Sequence, residues 1–207
     1  MVWLVGVWLP SPESERISRA TPGLLEEIKK LSPDFTVLAL GASPYSVFGY
    51  KLNPELGFEW ELKALKEKLN SLGMKLIVDF VSNHTSKDNP YVDQSPECFV
   101  RGSEEDFKAH PGWFFEREIN GVKNYIAYGR DPNFPAWADT AQLNYFNPAT
   151  REKMLSVLMR LADMSDGVRC DMVMLTLNDI HEATWEPFLG KAGYKKPGRE
   201  FWDDAIK

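Results

Sequence analysis

Cysteine is scarce in this 207-residue sequence, which has one at position 98 and one at position 170. Their number and spacing predict neither a disulfide framework nor a metal site. Basic blocks are also missing, and the net charge of −6 at pH 7 argues against a nucleic-acid partner. No apolar run reaches the roughly 20 residues that a membrane span needs. We therefore expect a cytoplasmic protein that binds neither nucleic acid nor membrane.

The apolar start of the chain, Met1–Leu9, has no positively charged segment and no small-residue cleavage site of the kind that marks a signal peptide. We interpret residues 2–9 as a buried strand. Further strands are predicted at residues 36–40, 75–81 and 166–173, and amphipathic helices at residues 59–72 and 148–164. Strands that alternate with helices predict an α/β fold with a parallel sheet, either covered on both faces or closed into a barrel.

The stretch from His84 to Phe146 interrupts this alternation. It is rich in proline, glycine, aromatic and charged residues and has no helical period. A long segment of this kind within a compact domain is usually a functional excursion or a lid. It leaves the end of the third predicted strand, and ligands bind at that edge both in open α/β sheets and in (β/α)₈ barrels.

Arg169 and Asp171 lie two residues apart on the last predicted strand. Side chains alternate along a strand, so both should point to the same face. A permanently charged guanidinium keeps a neighbouring carboxylate ionised and oriented, which suits a nucleophile or a transition-state stabiliser. A structural ion pair at the end of a strand is the alternative, because such pairs also perturb carboxylates.

A second polar group follows the third predicted strand. Asp79 can orient an arginine, Asn83 can ligate a cation through its carbonyl oxygen, and His84 can hydrogen-bond a hydroxyl. The alternative for each residue is ordinary turn chemistry, since Asn-His-Thr is a plausible link from strand to loop.

The order D-x-x-x-N-H at residues 79–84 and G-x-R-x-D at residues 167–171 resembles the α-amylase family of glycosidases, glycoside hydrolase family 13. Two more stretches agree with this resemblance. Residues 43–57 (SPYSVFGYKLNPELG) resemble the segment after the family's second strand, and residues 139–147 (DTAQLNYFN) resemble a short motif before its third helix. The excursion itself resembles the family's domain B.

The resemblance implies a partial (β/α)₈ TIM-type barrel with strands 1–4. Residues 1–84 and 147–207 would form the N-terminal half of the catalytic barrel, and residues 85–146 a domain-B-like insertion. It implies a retaining α-glycosidase or transglycosidase that acts on α-glucosidic bonds in an oligosaccharide or α-glucoside. No cofactor would be required, although calcium binds in some family members at the position of Asn83.

The resemblance also implies a role for each site residue. Asp171 is similar to the catalytic nucleophile, and Arg169 to the arginine that orients it. Asp79 resembles the carboxylate that supports this arginine. Tyr45 resembles the aromatic residue that stacks on the −1 sugar, and His84 the residue that hydrogen-bonds it.

The sequence departs from the family pattern at three positions near these motifs. Gly49 stands where the family often has aspartate before a tyrosine, and Met174 and Leu175 stand where many α-amylases have Lys-His. These departures argue against an α-amylase proper and leave room for other specificities in the family.

The family's general acid, a glutamate on the fifth strand, has no counterpart here. Retaining glycosidases need two carboxyl groups about 5–5.5 Å apart. Glu182 and Glu186 follow the right strand but lie in a helical segment interrupted by proline. We therefore expect the chain to be inactive by itself.

Three origins remain open for such an incomplete site. The chain is a fragment of a longer enzyme, pairs with a second chain that supplies strands 5–8, or forms a homodimer. A non-catalytic carbohydrate-binding or interaction module is the alternative function. An unrelated α/β enzyme is a third possibility. The sequence has no Gly-rich phosphate loop and no G-x-S-x-G motif, which argues against it.

Overall fold

The computed structural model describes residues 1–206, so Lys207, the last residue of the predicted barrel segment, lies outside the described residues. The strands are β1 (Val2–Leu4), β2 (Trp8–Pro10), β3 (Val47–Leu52), β4 (Leu76–Val81), β5 (His84–Ser86), β6 (Arg101–Gly102), β7 (Phe114–Ile119), β8 (Val122–Ala127), β9 (Thr140–Gln142) and β10 (Gly167–Asp171). The α-helices are α1 (Pro12–Ala20), α2 (Leu24–Leu31), α3 (Glu59–Ser71), α4 (Pro90–Gln94), α5 (Glu104–Ala109), α6 (Pro148–Met164), α7 (Asn178–Lys191) and α8 (Phe201–Ala205). Short 3₁₀ turns lie at Val37–Ala39, Pro96–Cys98 and Val173–Thr176.

The central sheet is parallel and has the order β1-β4-β10. Strand β4 lies in the middle, and its residues Leu76, Val78, Phe80 and Val81 are fully buried. Helices α3 and α6 connect the strands, as the crossovers of a parallel sheet require. The predicted fold class, an α/β protein with a parallel sheet of the barrel type, is confirmed.

The prediction of one strand over residues 2–9 is wrong in detail, because the segment bends at Gly6. This glycine has a φ of 66°, and a Cβ atom there would lie 2.6 Å from the Cβ of Pro44. Glycine adopts this left-handed conformation without steric cost. The bend separates β1, in the parallel sheet, from β2, which pairs antiparallel with β3.

The predicted strand at residues 36–40 is also wrong, since a 3₁₀ turn occupies Val37–Ala39. Leu38 is exposed there, so the apolar run marks no buried strand. The place beside β4 is filled by β1 instead. Consecutive strands of a (β/α)₈ barrel are neighbours, so β1 takes the position that the sequence analysis gave to residues 36–40. The described residues therefore contain three parallel barrel strands rather than four.

Both predicted long helices are present, as α3 and α6, with Asn147 capping α6 by accepting a hydrogen bond from the Ala149 N–H. Helix α1 follows β2 after a single residue, Ser11. Its first turn is stabilised by Ser11, whose hydroxyl accepts from the Ser14 N–H, and by Pro12 at the first helical position.

Residues 85–146 hold two small antiparallel sheets, of order β5-β9 and β6-β8-β7. A second apolar cluster joins this region to helix α7, where Phe114 packs edge-on against Phe188 at 5.0 Å between ring centroids. Whether residues 85–146 are a separate domain stays a prediction. No helix among residues 1–206 is both long and apolar enough to cross a bilayer.

Replacing Tyr50 by phenylalanine tests how β4 is held against the antiparallel β2–β3 pair. The Tyr50 hydroxyl accepts from the Val81 N–H at 2.8 Å and donates to the Val81 carbonyl at 3.0 Å. Removing it leaves two buried backbone groups without that partner, so we expect Tyr50→Phe to lower the free energy of unfolding by about 2 kcal/mol. Urea titration measures this.

The matched control is Tyr91→Phe, because Tyr91 is exposed and contacts Lys153 through its ring rather than its hydroxyl. We expect a change below about 0.5 kcal/mol for this surface substitution. Equal losses in the two variants would contradict the role assigned to the Tyr50 hydroxyl.

Candidate active site

Arg169 and Asp171 lie at the carboxyl end of β10, on the same face of the sheet. An Nη1 atom of Arg169 binds Oδ1 of Asp171, and the Asp171 carboxylate is largely buried. The next residue, Met172, has a φ of 50°. A methionine in the left-handed region is strained, and the turn it makes ends the strand directly after Asp171.

Asp79 lies opposite Arg169 on β4, in register with it. Its carboxylate is fully buried and accepts hydrogen bonds from Trp3 Nε1 at 3.2 Å and from the Gly6 N–H at 3.1 Å. Arg169 Nη1 lies 3.8 Å from Asp79 Oδ1. Burial raises the pKa of Asp79, while these two hydrogen bonds and the Arg169 charge oppose the rise. Arg169 thus stands between two carboxylates.

Two aromatic rings flank the guanidinium of Arg169. Its Cζ atom lies 5.2 Å from the ring centroid of Tyr45 and 5.4 Å from that of Trp3. Both distances are within the range of a cation–π contact. Tyr45 is thereby placed beside the Arg169–Asp171 pair, as the sequence analysis expected of a residue that lines the same site.

His84 follows β4 and is only 4% exposed. Burial lowers the pKa of His84 to about 4, against opposing effects of the Asp171 and Asp139 charges and of a hydrogen bond to the Tyr45 backbone. The imidazole is therefore neutral at pH 7. Its Nδ1 atom lies 3.3 Å from Asn83 Nδ2. If Asn83 donates here, the His84 proton is on Nε2.

Asn83 forms a reciprocal pair with Gln142, a residue that the sequence analysis did not single out. Gln142 Nε2 donates to Asn83 Oδ1 at 2.9 Å, and Asn83 Nδ2 donates to Gln142 Oε1 at 3.2 Å. Both side chains are buried. The Asn83 oxygen is thus already bonded, and the described residues include no cluster of three or more His, Cys, Asp or Glu suited to a metal. The surroundings of Asn83 do not fit a calcium ion.

The structure brings Asp79, Arg169, Asp171 and Tyr45 into one contact group, and links His84 to it electrostatically and through the Tyr45 backbone. Asn83 lies behind His84 as its hydrogen-bond partner. Trp3 was missed, because nothing in a short apolar strand indicates that its indole faces a carboxylate. Glu182, considered as a replacement acid, binds Lys196 Nζ at 2.7 Å.

The Arg169–Asp171 pair lies at the carboxyl end of a parallel strand, the edge at which (β/α)₈ proteins carry their ligand sites. The family model of the alpha-amylase catalytic domain matches residues 43–187. The chain belongs to the alpha-amylase family.

Individual relatives agree with this assignment. The chain is 30% identical to Maltase A2 of Drosophila melanogaster over 69% of its length and 28% of that protein. It is 23% identical to the probable oligo-1,6-glucosidase 2 of Bacillus subtilis over 84% of its length and 34% of that protein. The chain thus spans about a third or less of these two relatives.

A solved structure supports the fold. An alpha-amylase from Lactobacillus plantarum has a TM-score of 0.51 to this chain at 25% identity, over 94% of this chain and 43% of that one. The match covers nearly all of the described residues, so the chain corresponds to one part of that enzyme.

Buried neutral histidines predict acid sensitivity. Burial lowers the pKa of His84 to about 4 and that of His181 to about 3. Unfolded histidine titrates near 6.5, so between about pH 6.5 and 4 the unfolded chain binds more protons. We expect these two residues to lower the free energy of unfolding as the pH falls through this window.

The variant His181→Phe tests this expectation, because the imidazole lies buried against the rings of Tyr145 and Phe146. Urea titrations at pH 7 and pH 4.5 should show a pH-dependent loss that is smaller in the variant by about 2 kcal/mol. An identical loss in both proteins would show that His181 is not held neutral.

Proposed function

We propose that this chain carries the nucleophile half of the active site of a retaining α-glycosidase or transglycosidase. The observation that supports it is the Asp171 carboxylate at the carboxyl end of β10, bonded to Arg169, which lies between Asp171 and the buried Asp79. The relatives named as maltase and oligo-1,6-glucosidase favour an α-glucoside as substrate. Hydrolysis and transfer differ only in whether water or a sugar hydroxyl is the acceptor.

In this mechanism the sugar to be transferred lies beside Tyr45 and His84. A carboxylate oxygen of Asp171 attacks the anomeric carbon, the glycosidic C–O bond breaks, and a glycosyl ester forms on Asp171. Arg169 keeps the attacking carboxylate ionised and oriented. Neutral His84 lines the sugar site beside Tyr45 without adding a positive charge.

The general acid that protonates the leaving oxygen comes from outside the described residues. In the sheet order β1-β4-β10, strands β1 and β10 each have a neighbour on one side only. A closed barrel needs further strands at both edges. We propose that these come from more of the same polypeptide, from a second chain with the remaining barrel strands, or from a second copy, and that residues 85–146 form an insertion domain beside the site.

Carbohydrate binding without turnover is the second candidate function. Among the described residues, the second carboxyl group beside Arg169 belongs to Asp79, which is fully buried and hydrogen-bonded and so is not placed to act as the acid. Such a site supports saturable maltooligosaccharide binding. Under this alternative Asp171 never forms a covalent bond to the sugar.

Covalent labelling of Asp171 tests the proposal without the missing acid. An α-glucosyl fluoride with a second fluorine on its ring has a leaving group that departs as fluoride and needs no proton. Attack by Asp171 breaks the C–F bond, forms the glycosyl ester and releases fluoride. We expect mass spectrometry of the purified chain to show one fluoroglucosyl group on the peptide that contains Asp171.

The label should be absent from Asp171→Asn and present in Asp163→Asn, a control at an exposed aspartate at the end of helix α6. Labelling of another residue would contradict the nucleophile assignment. Saturable binding of maltooligosaccharide with no labelling would favour the non-catalytic alternative.

A further inference from the structure

The segment from Gly129 to Trp137, here called the Trp137 loop, is closed at its base. The Trp137 N–H donates to the Gly129 carbonyl at 2.8 Å, and the two residues form an antiparallel bridge. Thr140 joins the two ends: its hydroxyl accepts from the Gly129 N–H at 2.9 Å and donates to the Trp137 carbonyl at 2.8 Å. The ends of the loop therefore have a fixed separation.

This base lies against His84. A Cβ atom on Gly129 would stand 3.1 Å from both Cβ and Cγ of His84 and 2.7 Å from the Thr140 hydroxyl oxygen. Only glycine leaves space for so close an approach. The Trp137 ring covers the imidazole, with 5.0 Å between the ring centroids and an angle of 49° between the planes. The loop thus packs on the side chain proposed to hold the sugar.

The loop is fastened on its other side by Arg130. Its Cζ atom lies 3.8 Å from the ring centroid of Trp113 and 5.9 Å from that of Trp185. The tip of the loop, by contrast, is open to solvent, and Phe134 is 68% exposed there. Arg130 and Thr140 thus hold the loop at its base, and Trp137 is the side chain of the loop that contacts the His84 ring.

We propose that Trp137 is a positioning residue for the glycosyl-transfer reaction, which keeps the His84 ring against Asn83 and the Tyr45 backbone at the edge of the proposed sugar site. The proposal rests on the proposed function for its consequence in catalysis, but its structural part concerns the His84 ring alone. The ring has three contacts: Asn83 at Nδ1, the Tyr45 backbone, and the Trp137 loop. Of these, the loop supplies the packing that prevents rotation of the ring.

The first test reads the tautomer of His84 at constant pH 7.5. Histidine labelled with ¹⁵N in its ring gives separate signals for protonated and unprotonated nitrogens, and only three histidines are present. His84→Gln assigns the signal. We expect one tautomer, protonated on Nε2, in the unchanged chain and in Trp137→Phe. In Trp137→Ala we expect averaged signals from a ring that turns.

Phe134→Ala is the matched control, because it removes an aromatic ring from the same loop at its exposed tip. It should leave the His84 signals unchanged. Unchanged His84 signals in Trp137→Ala would overturn the proposal. A lower melting temperature of this variant would not rescue it, because the proposal concerns the orientation of the His84 ring and not the general stability of the chain.

The second test uses the fluorinated glucosyl fluoride. We expect Trp137→Ala to raise the reagent concentration for half-maximal labelling rate about tenfold, with labelling restored in Trp137→Phe. Averaged His84 signals in Trp137→Ala, together with no labelling of the unchanged chain or of either Trp137 variant, would overturn the proposed function and leave the positioning role intact. Labelling at an unchanged concentration in Trp137→Ala would overturn the catalytic consequence of positioning.

Discussion

The buried carboxylate of Asp79 is the constraint on which the structure of the site depends. It joins all three strands of the parallel sheet, because it lies on β4, accepts from Trp3 of β1 and faces Arg169 of β10. A carboxylate without exposure needs hydrogen bonds and a compensating charge. These requirements fix Arg169 in place, and Arg169 in turn fixes Asp171. Stability and chemistry therefore share one set of contacts.

The sequence singled out Asp79, Arg169 and Asp171 because each lies on a recognisable strand. Alternation placed Arg169 and Asp171 on one face, and the parallel sheet brought Asp79 beside them. It could not predict the register of β4 and β10, which places Asp79 directly opposite Arg169. Nor could it show that residues 36–40 are a 3₁₀ turn, since a short apolar run has no period that separates strand from turn.

Contacts between residues far apart in the chain could not be predicted from the sequence for a different reason. Gln142 and Trp137 are remote from Asn83 and His84 along the chain, and neither residue type indicates its partner. Local patterns report the face on which a side chain lies, but not which loop returns to cover it. In the sequence the two residues were therefore recognisable only as part of an irregular, aromatic segment that follows the third predicted strand.

Strand β10 carries Asp171 at the margin of the sheet, with hydrogen-bonded backbone only on the side of β4. Backbone at a margin opens more readily than backbone paired on both sides, because fewer bonds must break for it to move. Reactive chemistry demands that a nucleophile be held to within a fraction of an ångström. Asp171, whose position must be the most exact, thus lies on a strand that is hydrogen-bonded on one side only. Pairing of a further strand with β10 would restrict the movement of Asp171 as well as enclose the site.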